Sequence, residues 1–381
     1  MTVVVEVRDR IEPLAEDWER LAHSIGAAPF LWPGWFSAWW HAFGTGRLHI
    51  LTAYEDGRVA GILPLFNVRG ALSSLTNAES GYFGFLAANE PVAKALSHAV
   101  FRGHPRHVYL SAMSPDDGGT SLVRETAGGA KYQLSTDSYQ AAPYIPTDQS
   151  WEDYEGGLRR KFRSELRRRR RRLGDEGKLT LDVCDGREEL KELLEEGFRI
   201  EGSGWKESHR TSINTNPALQ RFYTEFARWA AERGWLRLAF LRVDDQAIAF
   251  DYCFEYNKVH YLQKTGYDPS FGKFAPGVIM RHLMIERAFS AQDIATYDFL
   301  GVGLGSESGA WKREWADTQQ ERVSMRMFAP TTLGSLDRII SGSSRTGLEV
   351  ATNLARKAVP DQRRRRLLRR AYESVHTKLG R

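Results

Sequence analysis

Residues 258–289 read KVHYLQKTGYDPSFGKFAPGVIMRHLMIERAF, and residues 290–315 continue SAQDIATYDFLGVGLGSESGAWKREW. Val259, Tyr261 and Gln263 alternate as a strand does, and Gly266 with Asp268-Pro269 signals a turn. A second Gly/Pro segment, Gly272 to Gly277, feeds a helical pattern through Ile279, Leu283 and Ala288. A strand at residues 296–300, a glycine-rich loop and a Trp/Lys/Arg/Trp cluster follow. Strand, Gly-Pro turn, helix, strand places unpaired N–H groups and a positive dipole end at a helix start, an arrangement suited to phosphate. The same order also serves an ordinary αβ junction with a steric glycine, so other segments must decide.

The chain has 381 residues, 42% of them hydrophobic and 12% aromatic, enough for packed cores in two domains and a tail. Cys184 and Cys253 form no spacing motif, which excludes a disulfide framework or a zinc site of the usual pattern; both read as buried thiols. No apolar run approaches the ~18 residues of a membrane-spanning helix. The first residues, MTVVVEVRDRIE, read as a strand rather than a signal peptide, so a cytoplasmic location is expected. Net charge is +5, but it is local: residues 159–172 carry nine Arg, Lys161 and Glu165, and residues 363–370 carry six Arg. The remainder is a mildly acidic globule.

The pattern is α/β with mixed sheets. Residues 2–7 read as a strand, 12–24 as a helix, and 48–54 with 59–66 as a hairpin across Asp56-Gly57. The segment 29–43 is dense in Trp and Phe, which points to a core or a domain interface. Pro143-Tyr144-Ile145-Pro146 reads as a link, followed by Ser150 as a helix N-cap. A helix beginning at Leu158 carries an apolar stripe (Leu158, Phe162, Leu166, Leu173) with arginines on its other faces, an excess that points to an anionic partner. Beyond it, strand 178–184, helices 187–200 and 217–233 and a hairpin over Asp244-Asp245 repeat the order of the first half. The expected division is 1–145 and 146–330 as two related halves, with 331–381 as a basic helical tail.

The pieces LRRKFRSELRRRRRRL (158–173), IEGSGWK (200–206), TSI (211–213), GYDPSFGKFAPG (266–277) and YDFLGVGLGSESGAWKREW (297–315) occur in a telling order. With the hairpin GRVAGILPL (57–65), they make the sequence resemble the CelD/BcsL-type acyltransferases of the GNAT superfamily, relatives of the Fem-type aminoacyl-tRNA-dependent transferases. The resemblance covers roughly residues 45–328. It implies two tandem GNAT-like domains, with the active site mainly in the second. It also implies acyl transfer to an amine-bearing acceptor from acyl-CoA or, alternatively, from aminoacyl-tRNA. Either donor is a co-substrate, and no tightly bound cofactor is expected. GKFAPG departs from the superfamily's usual phosphate loop, and Pro276 removes one N–H donor.

On this resemblance Lys312, in AWKREW, stands where Fem-type enzymes place a lysine near the reacting carbonyl, to stabilise an oxyanion or donor phosphates. Asp298, at a strand end, would orient or deprotonate the amine, and Glu201 joins them as a candidate catalytic residue. Trp205, Lys206, Tyr267, Lys264 and Trp311 are candidate substrate contacts. Lys273, Gly277, Arg160, Arg163 and Arg167 are candidates for the donor phosphates. The Arg-rich helices would contact RNA if the donor is a tRNA. A reading of another class is a binding module without activity, associated with polysaccharide or membrane through its basic tail. His260 and His282 read as structural. No metal site, catalytic triad or P-loop pattern is present in the sequence.

Overall fold

The computed structural model describes residues 2–203, 212–303 and 311–342. In the first half, strands β1 (Val3–Arg8), β2 (Arg47–Glu55), β3 (Arg58–Val68) and β4 (Ala71–Ser74) pair antiparallel in turn. Asp56 and Gly57 both take positive φ, 50° and 75°, which gives the β2–β3 hairpin its tight two-residue turn. A short β5 (Leu86–Ala87) pairs with β3, and β4 then pairs parallel with β6 (His107–Met113). The second half repeats this. Strands β8 (Leu179–Cys184), β9 (Leu236–Val243), β10 (Gln246–Tyr256) and β11 (Val259–Tyr267) are antiparallel, and β11 pairs parallel with β12 (Thr296–Asp298).

The halves interlock by exchanging their last strands. The first half's β7 (Gln133–Pro146) pairs with β12 and with β13 (Val302–Gly303), both of the second half. The second half's β14 (Thr318–Phe328) pairs with β6, and β7 and β14 also pair with each other. One 14-stranded mixed sheet results. The segment Pro143–Pro146, expected to be a link, is therefore the end of a central strand. Pro143 has no N–H to give, but its carbonyl accepts from Phe299 N at 3.0 Å, so the exchanged pairing tolerates it.

Helices α1 (Ala15–Ser24) and α2 (Pro33–Phe43) lie between β1 and β2; α3 (Glu90–Val100) and α4 (Gly118–Gly129) flank β6. Their second-half counterparts are α7 (Leu190–Gly202) and α8 (Pro217–Glu232), then α9 (Pro276–Ser290). The aromatic run of α2 proves to be the contact between halves. Trp35 meets Phe222 and Phe226 of α8 edge-on, each at 4.9 Å between ring centroids, an arrangement worth about 0.5–1.5 kcal/mol per pair beyond burial. Gly34 is required there, because a Cβ would lie 2.2 Å from the Trp229 ring.

Two helices join the halves, α5 (Trp151–Gly157) and α6 (Arg160–Gly174). Ser150 caps α5 as expected, its Oγ accepting from Asp153 N at 3.0 Å. Leu158 ends α5 instead of starting the arginine helix, while Leu166 and Leu173 of α6 are buried. A last helix, α10 (Thr332–Gly342), opens the expected tail; residues 343–381 lie outside the described part. Cys253 is fully buried, but Cys184, on edge strand β8, is only half-buried. His260 (Nδ1 to Glu255, 2.9 Å) and His282 (Nε2 to Glu155, 3.2 Å) are buried and held by carboxylates, consistent with structural roles. Among the described residues no helix is long and apolar enough to cross a membrane.

Candidate active site

Strands β11 and β12 pair only at Val259↔Thr296, His260↔Tyr297 and Tyr261↔Asp298. Beyond that point β11 continues to Tyr267 along β10, while the other chain leaves. The cause is local: Leu300 takes φ 55°, a left-handed conformation costing about 1–2 kcal/mol for a residue with a Cβ. The chain then swings over to pair Val302 with Ala141 on β7. The expected strand over 296–300 thus stops at Asp298, and the two strands splay.

Two charged side chains hold the strained residue from either end. Asp298 Oδ1 accepts from Leu300 N at 2.7 Å. Lys312 Nζ donates to the carbonyls of Phe299 (2.5 Å) and Leu300 (3.3 Å). Asp298 is buried, which pushes its carboxyl up to about 6 against the pull of the Leu300 N–H, Arg322 and Lys312. Desolvation pushes the Lys312 ammonium down to about 7, with Asp298 opposing and Arg281 assisting. Arg281 lies below in the core, 1% exposed, gripping Asp251 with bonds of 2.6 and 2.9 Å and also donating to Tyr297 Oη. Its guanidinium sits 5.6 Å from the Trp311 ring centroid.

The splay opens into a cleft of about 830 Å³, large enough for a cofactor-sized ligand. Lys312, Trp311, Lys264, Tyr267 and Glu201 line it together, so five sequence candidates converge. Asp298 stands behind this wall rather than in it. Glu201, 1% exposed at the end of α7, accepts from Ile213 N at 2.9 Å, so one of its oxygens braces a loop. Close packing brings it to β11: a Cβ on Gly266 would lie 2.4 Å from Glu201 Cα. Trp205 and Lys206 lie outside the described residues.

The phosphate candidates are more dispersed. Pro276 occupies the first turn of α9, and Val278 N donates to Ala275 O at 3.0 Å, leaving Gly277 as the N–H to offer. Tyr267 joins this helix start to the cleft, since Cβ atoms on Gly272 and Gly277 would lie 3.9 and 3.7 Å from its ring. Lys273 is exposed and paired with Glu176 at 3.6 Å. Arg160, Arg163 and Arg167 lie on the outer face of α6, around a separate open hollow of about 540 Å³ shared with Arg171. The C-terminal end of α6 does approach the α9 turn, with the Arg172 guanidinium 5.6 Å from the Phe274 ring centroid.

Sequence reading missed the first half's share of the cleft. Glu79 accepts from Tyr223 Oη (2.5 Å) and pairs with Lys264 Nζ (3.0 Å), while its carbonyl accepts from Gln263 Nε2 (2.7 Å). Tyr139 and Gln140 of β7 also line the cleft, brought there by the strand exchange. Nothing local marks these residues. Arg281 did carry a signal: it falls on the buried face of α9 with Ile285 and Ala288, where a cation demands a partner.

Lys312 can do proton chemistry here. A neutral amine has two N–H groups, and two carbonyls receive them; the third position on Nζ is left for the cleft. A group near 7 so placed takes up and returns a proton with little penalty at neutral pH. Among the described residues no group of three or more His, Cys, Asp or Glu side chains stands together as metal ligands would.

Residues 160–313 match the acetyltransferase (GNAT) domain family. Among solved structures the chain is similar to FemX, at 13% identity over 86% of this chain and 97% of that one, with a TM-score of 0.55. It is similar to L-PGS from Bacillus licheniformis, at 12% identity over 84% and 93%, TM-score 0.53. A conserved protein of unknown function from Bacteroides thetaiotaomicron gives 12%, 85% and 100%, TM-score 0.54. At such identities the likeness establishes the fold. No curated protein matches the chain in sequence.

Proposed function

We propose that this chain, whose residues 160–313 match the acetyltransferase (GNAT) domain family, is a transferase that moves an acyl group from acyl-CoA to an amine of a small molecule, sugar or peptide. The observation that carries this reading is the parting of β11 and β12 after Tyr261↔Asp298, with Lys312 at the opening. The pantetheine arm of the donor would add to the freed edge of β11 by strand-like hydrogen bonds. Its phosphates would pass Tyr267 to the Gly277 N–H and the nearby cationic side chains. The amine nitrogen attacks the carbonyl carbon, the new C–N bond forms and the C–S bond breaks. Lys312 takes the proton that the amine loses and returns it to the departing thiolate. Asp298 positions this machinery by holding Leu300.

A second reading, aminoacyl-tRNA as donor, is favoured by α6. Arg160, Arg163, Arg167 and Arg171 share one outer face, and among these only Arg167 pairs with a described carboxylate, Glu155 at 3.6 Å. Such a face suits a phosphate backbone. The two readings separate in solution. Acetyl-CoA or a longer acyl-CoA should raise the melting temperature in proportion to its binding under the first. Copurifying RNA, released steeply as salt rises, is expected under the second. Transfer that persists undiminished in Lys312→Ala overturns the site in both.

A further inference from the structure

One side chain of the first half is pinned in the cleft wall with an oxygen left over. Glu79 lies on the loop between β4 and β5; its N–H donates to Asn77 Oδ1 at 3.0 Å, and its carbonyl accepts from Gln263 Nε2 at 2.7 Å. Asn77 is itself fixed, its carbonyl accepting from Tyr139 Oη at 3.1 Å. In the carboxylate, Oε2 takes both Tyr223 Oη (2.5 Å) and Lys264 Nζ (3.0 Å). Among the described residues nothing bonds Oε1. That oxygen is not enclosed, on a side chain that is 14% exposed and lines the cleft. The facing strand is shaped to the same end. Tyr252 stands opposite Lys264 and Cys253 opposite Leu262, so Gln263 is an extra residue in β11. A bulge of this kind re-aims side chains. Gln263 and Lys264, which a regular strand would send to opposite faces, both reach Glu79.

A carboxylate oxygen held in place and open to a cleft can only accept, and the strongest donor for it is a cation. Lys264 offsets the charge of Glu79 but occupies the other oxygen. Glu201 is a second acid in the lining, and Lys312, near 7, carries only part of a charge at neutral pH, so the lining as a whole favours a cation. Gln263 adds to this. The Glu79 carbonyl accepts only, which fixes the amide nitrogen against it and leaves Gln263 Oε1, buried without a partner, as an uncancelled negative dipole end beside Glu79. We infer that Glu79 Oε1 binds a second, protonated amine of the acceptor, so that the compound acylated is a diamine-type molecule. This rests on the transfer reading above. The other nitrogen, unprotonated, attacks the acyl carbonyl; the C–N bond forms, the C–S bond breaks and Lys312 carries the proton to the thiolate. The ammonium on Glu79 takes no part in bond making. The second half then holds the donor and the proton carrier, and a loop of the first half reads the acceptor.

The test compares acceptors in matched pairs, putrescine against butylamine and cadaverine against pentylamine, each with acetyl-CoA and the full chain. The diamine should show the higher kcat/KM, mainly through KM. In Glu79→Gln, which keeps the side chain's shape, that preference should fall roughly 10- to 100-fold, the worth of a hydrogen bond to a charged group, and Glu79→Asp should retain part of it. If Glu79→Gln fails to fold, the wild-type chain still decides: N-acetylcadaverine, whose second nitrogen is neutral, should be used no better than pentylamine, and δ-aminovalerate, with a carboxylate in that place, should be the poorest. Equal use of both members of a pair, a preference that survives Glu79→Gln, or δ-aminovalerate matching cadaverine overturns the subsite. Donor turnover with other amines but with neither diamine also overturns it and leaves the transfer reading standing. No donor turnover with any amine sinks both.

Discussion

In the first half β4 and β6 run parallel and part after Ser73↔Tyr109, as β11 and β12 part after Tyr261↔Asp298 in the second. What fills the two gaps differs. Ser74 Oγ, Thr76 Oγ1 and Ser111 Oγ form a chain of hydrogen bonds of 2.7 and 2.6 Å, and Ser111 N donates to Ser74 Oγ at 3.1 Å, stitching the first gap shut. The helix beyond it, α3, is capped by Asn89, whose Oδ1 accepts from Val92 N at 3.0 Å, and has Glu90 in its first turn. That end is already satisfied and repels anions. Its counterpart α9 has no side-chain cap and no acidic first turn. The fold supplies the same parting strand pair and following helix twice, and a few hydroxyls and one Asn distinguish the closed copy from the open one.

The comparison can be broken from the active side first. Lys312→Ala should lower kcat by at least about 100-fold, the usual worth of positioned proton transfer, without unfolding the chain by circular dichroism. With a weakly basic acceptor such as hydroxylamine, the wild-type rate should climb through about pH 7 and level off, and that limb should vanish in the variant. Stability follows the same group. The unfolded lysine holds its proton to its ordinary 10.5 while the folded one loses it near 7, so stability rises with pH across that window. Thermal melts of Lys312→Met should lack that rise.

Gly266→Ala tests the other wall of the open junction. Its methyl would meet the Glu201 backbone, so a loss of about 1–3 kcal/mol is expected in denaturant melts, with weakened donor binding. Thr76→Val removes the bridge between Ser74 and Ser111 and should cost about 1–2 kcal/mol. Smallest of all, Asn89→Ala leaves α3 as uncapped as α9, for about 1 kcal/mol. Transfer rates at saturating substrates should be indifferent to these last two.

Periodicity and turn chemistry made the repeated halves readable: the Asp56-Gly57 hairpin, the Ser150 cap and the strand–turn–helix at 259–290 stand as their residues dictate. The positions of Lys312, Trp311, Lys264, Tyr267 and Glu201 around one cleft follow from the same segments. What stayed hidden depends on pairing across long distances. No local pattern says that Pro143 sits in a central strand, that Gln140 faces Arg322, or that Glu79 meets Lys264. The arginines of α6 were visible as charge, but their position outside the cleft follows from the buried Leu166 and Leu173, which turn the cationic face outward.

The exchange of β7 and β14 also constrains how the chain is born. The first half's β6 waits for Val323–Phe328 as a neighbour, and Gln133 finds its partner in Phe328. A ribosome delivers residues in order, so nearly the whole described chain must emerge before the first half can complete its sheet. Long-range strand pairing of this kind is slow, and until it happens the edge of β6 is open to wrong partners. Truncation before residue 318 should therefore cost both halves their fold, with aggregation of the nascent first half as the visible result.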